Sequence, residues 1–418
     1  MRDTLNHAIL ALALFIATYA VNLQAPLYAV YAENSQVGAM AVTVAFAAYV
    51  TGLMPTLILL GGASDRIGRR VPIAMALCLC VGGTALLAMV PTWPALVTTR
   101  FILGVSTGFA TTAGTAYMAE LSGQDKTRQA TLLVTSATSL GFGGGALATG
   151  FSLSLQGTST APTSFLALFV VAPVLVFAVL ALPRADSPTK VPMVRLPVFP
   201  KNTWKYGVAL AMAWSTTGTT IAVVPLQLEE QDLGGTGLVV FLAIFVGFLS
   251  QPLAKKLSND VALNTGFLLV PLGYLILLFG VWTQSIRFIL AGTAITSSAS
   301  YGFTYLASLS EFAARAPDNR ARAAAGLFVY AYVGFSLPTI ASGALADQVG
   351  LLISMSVFAA ILVTMTLAVI RLGSARVCVA FDHTIDDNPS SVPTADISVS
   401  RTDSCRTHSK VQTFNQID

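Results

Sequence analysis

Long apolar runs separated by short polar turns set the rhythm of this chain. Twelve runs can be read, at 8–31, 37–60, 72–90, 95–119, 130–153, 164–182, 206–226, 236–253, 262–281, 286–308, 323–345 and 351–370. Each is close to the roughly 20 residues that a helix needs to cross a bilayer. They are called spans 1 to 12 below. The pattern predicts an all-α membrane protein.

Composition agrees. Charged residues make up 10% of the chain and hydrophobic ones 55%, with a mean hydropathy of +0.73; soluble domains carry about 25% charged residues. Charge placement then tests the count of spans. If the first terminus is cytoplasmic, 21 of the 23 Lys and Arg residues fall in cytoplasmic segments and none in the outer turns. Arg100 and Arg287 lie inside spans. This distribution predicts both termini on the cytoplasmic side of the cytoplasmic membrane. Trp93, Trp204 and Trp282 fall at the expected interfaces. No basic surface remains for nucleic acid, since the cations are accounted for by topology. Cys78 and Cys80 lack a third ligand, so neither a metal site nor a cofactor is expected. No histidine and no carboxylate lies in the middle of a span, which argues against an intramembrane enzyme.

The turn between spans 2 and 3 is the most specific segment. Gly61, Asp65, Arg66, Gly68, Arg69 and Arg70 fit the pattern G-x-x-x-D-R-x-G-R-R. It resembles the signature turn of the major facilitator superfamily of transporters. The resemblance extends over about residues 7–372. It implies twelve helices in two pseudo-symmetric six-helix bundles that rock about a central cavity. It also implies that Asp65, Arg66, Arg69 and Arg70 are gate residues, with Glu120 and Arg128 extending their network. The corresponding turn of the second half has lysine where the aspartate would stand, at Lys255 and Lys256, so a lopsided lock is expected.

Internal echoes support a duplication. Arg100-Phe-Ile-Leu recurs at Arg287, Tyr117 recurs as Tyr305, the glycine run 141–150 is echoed at 334–343, and Ala25-Pro-Leu faces Val224-Pro-Leu. The expected division is an N-terminal bundle at 1–182, a cytoplasmic linker at 183–205 with five prolines, a C-terminal bundle at 206–373 and an irregular cytoplasmic tail at 374–418.

Polar side chains concentrate in spans 1, 4, 7 and 10, where they must face protein or water. Asn22, Gln24, Tyr28, Thr107, Thr111, Trp214, Thr217, Ser297, Tyr301 and Tyr305 are the candidate cavity residues. Arg100 is the candidate coupling residue, in a spacing with Gly104 and Gly108 that resembles the superfamily's fourth-span motif. Arg287 reads as an interfacial anchor. Gly104, Gly108, Gly141, Gly145 and Gly150 are expected at close helix contacts. The fifth-span glycine run is a partial version of the superfamily's antiporter motif, without its proline. With no central carboxylate, a neutral or anionic small molecule is favoured as cargo. The nearest group by resemblance is the drug/metabolite exporters driven by protons, expected here as a monomer in the bilayer. Uptake of a small organic anion or nutrient by symport or uniport, and lipid flipping, remain open on the same fold.

Overall fold

The computed structural model describes residues 2–123, 126–184, 194, 196–228 and 233–386. Among them every regular element is helical. Spans 2 to 6 are Ala39–Leu59, Arg70–Met89, Trp93–Ser122, Thr127–Gln156 and Thr163–Ala181. Spans 8, 9, 11 and 12 are Leu233–Ala254, Asn259–Trp282, Arg320–Val349 and Leu351–Asp386. The last helix thus continues past Gly373, where irregular chain was expected to begin. The rest of that tail, from 387 on, lies outside the described residues, as does most of the linker segment 185–195.

The remaining three spans are interrupted. Span 1 runs as Arg2–Asn22, a 3₁₀ turn Ala25–Leu27 and a helix Tyr28–Asn34. Span 7 breaks between Trp204–Ala222 and Val224–Gln227. Pro26 and Pro225 explain both breaks, since proline lacks the N–H and clashes with the preceding turn. Span 10 changes its winding instead: Ile286–Ser297 leads into a π-helical segment Ser298–Thr304, then Tyr305–Ala314. Segments of this kind are rare and cluster at functional sites.

Ten helices among the described residues are long and apolar enough to cross a membrane. Spans 4 and 10 are not among them. Span 4 carries Arg100 and six threonines, and span 10 its run of Thr, Ser and Tyr, which lowers their hydropathy. The twelve spans therefore include two whose polarity is tolerable only if protein or water covers it.

Packing repeats between the halves. Span 2 lies on span 4 as span 8 lies on span 10, span 1 on span 5 as span 7 on span 11, and span 3 on span 4 as span 9 on span 10. Between halves, span 2 meets span 11 and span 5 meets span 8. The result is two pseudo-symmetric six-helix bundles. Close approach depends on small residues. A Cβ on Gly104 would run into the Tyr49 carbonyl of span 2, and one on Gly145 into the Tyr19 carbonyl of span 1. Gly108 sits against Thr56, Gly141 against Phe15 and Thr18, and Gly150 against Gly237 of the other half.

Candidate functional site

One end of the molecule carries the 61–70 turn and is called the motif end; the other is the distal end. At the motif end, Gly61 is buried where span 2 finishes, and a short helix Ala63–Ile67 follows. Gly68 then takes φ 87°, a left-handed conformation that glycine adopts without penalty. This reversal brings Arg69 back over the short helix. Its Nη1 lies 2.7 Å from the Asp65 carboxylate and 2.8 Å from Ser64 Oγ, while Nη2 and Nε reach one Glu120 oxygen at 2.6 and 2.8 Å. Partial burial works against the Arg69 charge. The hydrogen bond to Glu120, the Glu120 charge and then Asp65 outweigh it, and its pKa is raised. Arg70 Nη1 donates to the last carbonyls of span 6, at Leu180 and Leu182, where the negative end of a helix favours a cation. Arg66 is exposed. Arg128 is also exposed, and it takes no part in the bonds around Glu120 among the described residues.

The second half is tied at the same end by different residues, contrary to the lopsided expectation. Asp260 accepts from Lys205 Nζ at 2.9 Å and from the Tyr206 hydroxyl at 2.7 Å. Asn259 donates to Glu311, which also holds Arg315 at 2.9 Å. The lysines at 255 and 256 do not substitute for the aspartate; the carboxylate comes a few residues later, at the start of span 9.

Arg100 is buried, with 1% of its surface exposed. No carboxylate pairs with it among the described residues. Its Nη1 donates to the Val21 carbonyl at 2.7 Å and Nη2 to the Phe46 carbonyl at 3.3 Å. Val21 stands in the last turn of the first helix of span 1, where breaking at Pro26 leaves carbonyls without helical partners. That helix end also carries partial negative charge. The guanidinium further rests on the rings of Tyr49 and Phe46, 4.9 and 5.2 Å from their centroids. Arg100 Nε and the Tyr28 and Tyr31 hydroxyls are buried without a hydrogen-bond partner among the described residues. Arg287, the echo of Arg100, is exposed.

The expected cavity residues separate into two sets. Several are sealed into packing. Asn22 donates to the Phe142 carbonyl, Gln24 to the Val21 carbonyl and Thr107 to its own helix at Leu103, while Ser297 accepts from the Gly247 N–H. Thr217 is buried on span 7. The others keep some exposure, and it rises toward the motif end. Along span 4, Thr107 is buried, Thr111 half-buried and Thr115 exposed; along span 10, Ser297 is buried and Tyr301 and Tyr305 half-buried.

A cluster of aromatic rings stands among them. Trp214 of span 7 lies 5.2 Å from Tyr301 and 6.3 Å from Tyr305 of span 10. Span 11 adds Phe328, Tyr332 and Phe335, at 6.3, 5.2 and 6.1 Å from Trp214. Sequence reasoning missed these three, and also Phe46 and Tyr49. The stripe 328, 332, 335 was a readable signal, since that spacing holds one helix face. At the distal end the halves close together. Phe46 and Phe335 meet at 4.7 Å, Gly343 lies against Thr43, and the Asp347 carboxylate bonds the start of span 2.

A family model described as the Major Facilitator Superfamily matches residues 10–338. The chain belongs to this superfamily. A search of curated proteins finds no match. Among solved structures, this facilitator is similar to a bacterial homolog of the human lysosomal transporter Spinster, inward-facing and unoccupied, with a TM-score of 0.68 and 12% identity over 90% of this chain and 97% of that one. It is also similar to the nucleoside transporter NupG, with a TM-score of 0.67 and 13% identity over 88% and 99% of the two chains. The D-xylose-proton symporter aligns with a TM-score of 0.61 and 16% identity over 88% and 96%. At such identities the likeness is one of fold. The facilitator is thus an integral membrane transporter with the superfamily's fold.

Proposed function

We propose that this facilitator is a secondary active carrier that exports a small neutral or anionic organic molecule across the cytoplasmic membrane in exchange for protons. The observation that carries the reading is the rise of exposure along spans 4 and 10 toward the motif end, which we read as a passage. It opens toward the motif end, is closed distally by Phe46, Phe335 and Asp347, and holds no carboxylate among its described walls. A carrier of dications would need such a carboxylate to offset desolvation. In this reading the motif end and both termini are cytoplasmic, and the conformation is inward-open. Residues 1–182 and 206–373 are the two rocking bodies, joined by 183–205, and one monomer suffices. Asp65, Arg69 and Glu120 stabilise the turn that meets the opposite body when the motif end closes. Arg100 is the coupling residue.

Uptake or uniport of the same cargo is the second reading. It is favoured by one feature: no Asp, Glu or His lies along the passage among the described residues to carry the proton. Purified protein in liposomes containing a pH-sensitive dye separates the two. Cargo-dependent proton flux supports coupled export. Cargo movement without proton movement replaces it with uniport.

A further inference from the structure

We infer that the cargo is a flat aromatic or heteroaromatic molecule bearing a hydrogen-bond acceptor, neutral or singly anionic, and that it stacks in the Trp214 wall. This rests on the transport reading above and narrows it to a chemical class. Three independent features lead there.

The first is the convergence of rings. Trp214, Tyr301, Tyr305, Phe328 and Tyr332 come from spans 7, 10 and 11 and approach one indole. Tyr301, Tyr305, Phe328 and Tyr332 are half-buried on the side of the passage, while Trp214 lies behind them at 6% exposure. Rings left partly wet within a span offer faces and edges to a planar guest, and offset or edge-on aromatic pairs gain beyond simple burial. Aliphatic cargo would forgo that gain.

The second is a donor without an acceptor. Trp214 Nε1 is buried and has no hydrogen-bond partner among the described residues. A buried N–H is normally paired, and an indole can only donate. A guest that parts the rings in front of it and brings an acceptor, such as a carbonyl, a carboxylate or a ring nitrogen, satisfies it.

The third is the sign of the local field. Aromatic walls alone also suit quaternary ammonium ions. Here, however, the Arg100 guanidinium lies over the rings of Tyr49 and Phe46. Phe46 packs at a tilt against Phe335, which belongs to the Trp214 cluster. Among the described residues no carboxylate pairs with that cation, so its charge biases the aromatic wall toward positive potential. It disfavours a cationic guest and favours a neutral or anionic one.

The test uses the full chain in lipid nanodiscs with four probes of similar size: 2-naphthoate, 2-naphthamide, decalin-2-carboxylate and N-methylquinolinium. Titration calorimetry should show 2-naphthoate and 2-naphthamide binding at least about tenfold more tightly than the saturated acid and the cation. Trp214→Phe keeps a ring but removes the donor, and should weaken naphthoate about five- to tenfold, as expected for one hydrogen bond. Equal affinity for decalin-2-carboxylate, or a preference for the quinolinium ion, overturns the inference. If Trp214→Phe fails to fold, the probe series on the unmodified protein still decides. Counterflow in proteoliposomes separates this inference from the reading beneath it. Naphthoate that binds but is never carried supports the aromatic site and sinks the transport reading. Carriage of aliphatic cargo by a protein that ignores naphthoate does the reverse.

Discussion

Asp347 accepts the backbone N–H of Ala39 at 2.6 Å and that of Met40 at 3.1 Å. A carboxylate at the end of span 11 therefore caps the first turn of span 2, across the boundary between the halves. Gly38, beside it, leaves no space for a Cβ against that carboxylate. Caps of this kind contribute about 1 kcal/mol, and this one is present only while the distal end is closed. Asp347→Ala should shift the population toward distal opening by roughly fivefold. Spin labels at Gln36 and Gln348 report it: the distance distribution should gain a longer component, and an unchanged distribution would refute the latch.

The motif end makes a second prediction. Arg69 is shared by Asp65 and Glu120, so removing one carboxylate leaves the guanidinium partly unpaired. Asp65→Asn should lower transport about tenfold while membrane insertion and thermal stability stay close to the parent's. Normal transport rates in the variant would remove Asp65 from the gate.

Arg100 and Arg287 echo each other in sequence but not in burial. Replacing the buried one takes one donor from each of the Val21 and Phe46 carbonyls and removes the positive charge beside the aromatic wall. Arg100→Ala should abolish transport, and Arg287→Ala should keep it within about twofold, as exposed substitutions usually do. A vesicle assay with the reverse order would show that the coupling residue has been misassigned.

The lock of the second half carries a pH signature. The Lys205 and Tyr206 hydrogen bonds hold the Asp260 carboxyl below its ordinary pKa of 3.8. A carboxyl depressed on folding adds stability above the unfolded value, and that stability is lost as pH falls through the folded one. The melting temperature should therefore drop below about pH 4. Asp260→Asn should flatten that part of the profile. The effect is small because 69% of the Asp260 side chain is exposed. Parallel profiles for parent and variant would contradict it.

Much of this architecture is readable from local signals. The 61–70 turn declares itself because four charges and three glycines sit together, and the breaks of spans 1 and 7 follow from Pro26 and Pro225. The partners of Arg100 could not be read, because they are backbone carbonyls and carry no residue identity. Phe328, Tyr332 and Phe335 form a visible stripe, but only the packing of span 11 on span 7 turns it toward Trp214. Thr107 and Ser297 show the opposite failure. Their polarity suggested a cavity, and the helix ladder and a neighbouring N–H use it instead.

The π segment of span 10 also records how the two halves diverged. Arg100 and its echo Arg287 are 187 positions apart, whereas Tyr117 and its echo Tyr305 are 188 apart. One residue has been gained between them, and the widened turns at Ser298–Thr304 lie in that interval. In an unbroken α-helix one extra residue would rotate whatever follows by about 100°; the wider π turns take that residue up. Tyr117 fastens span 4 to the Pro183 carbonyl. Tyr305 lies 6.3 Å from Trp214. Two copies of one tyrosine thus came to hold different offices, a strut in the first half and a wall of the passage in the second.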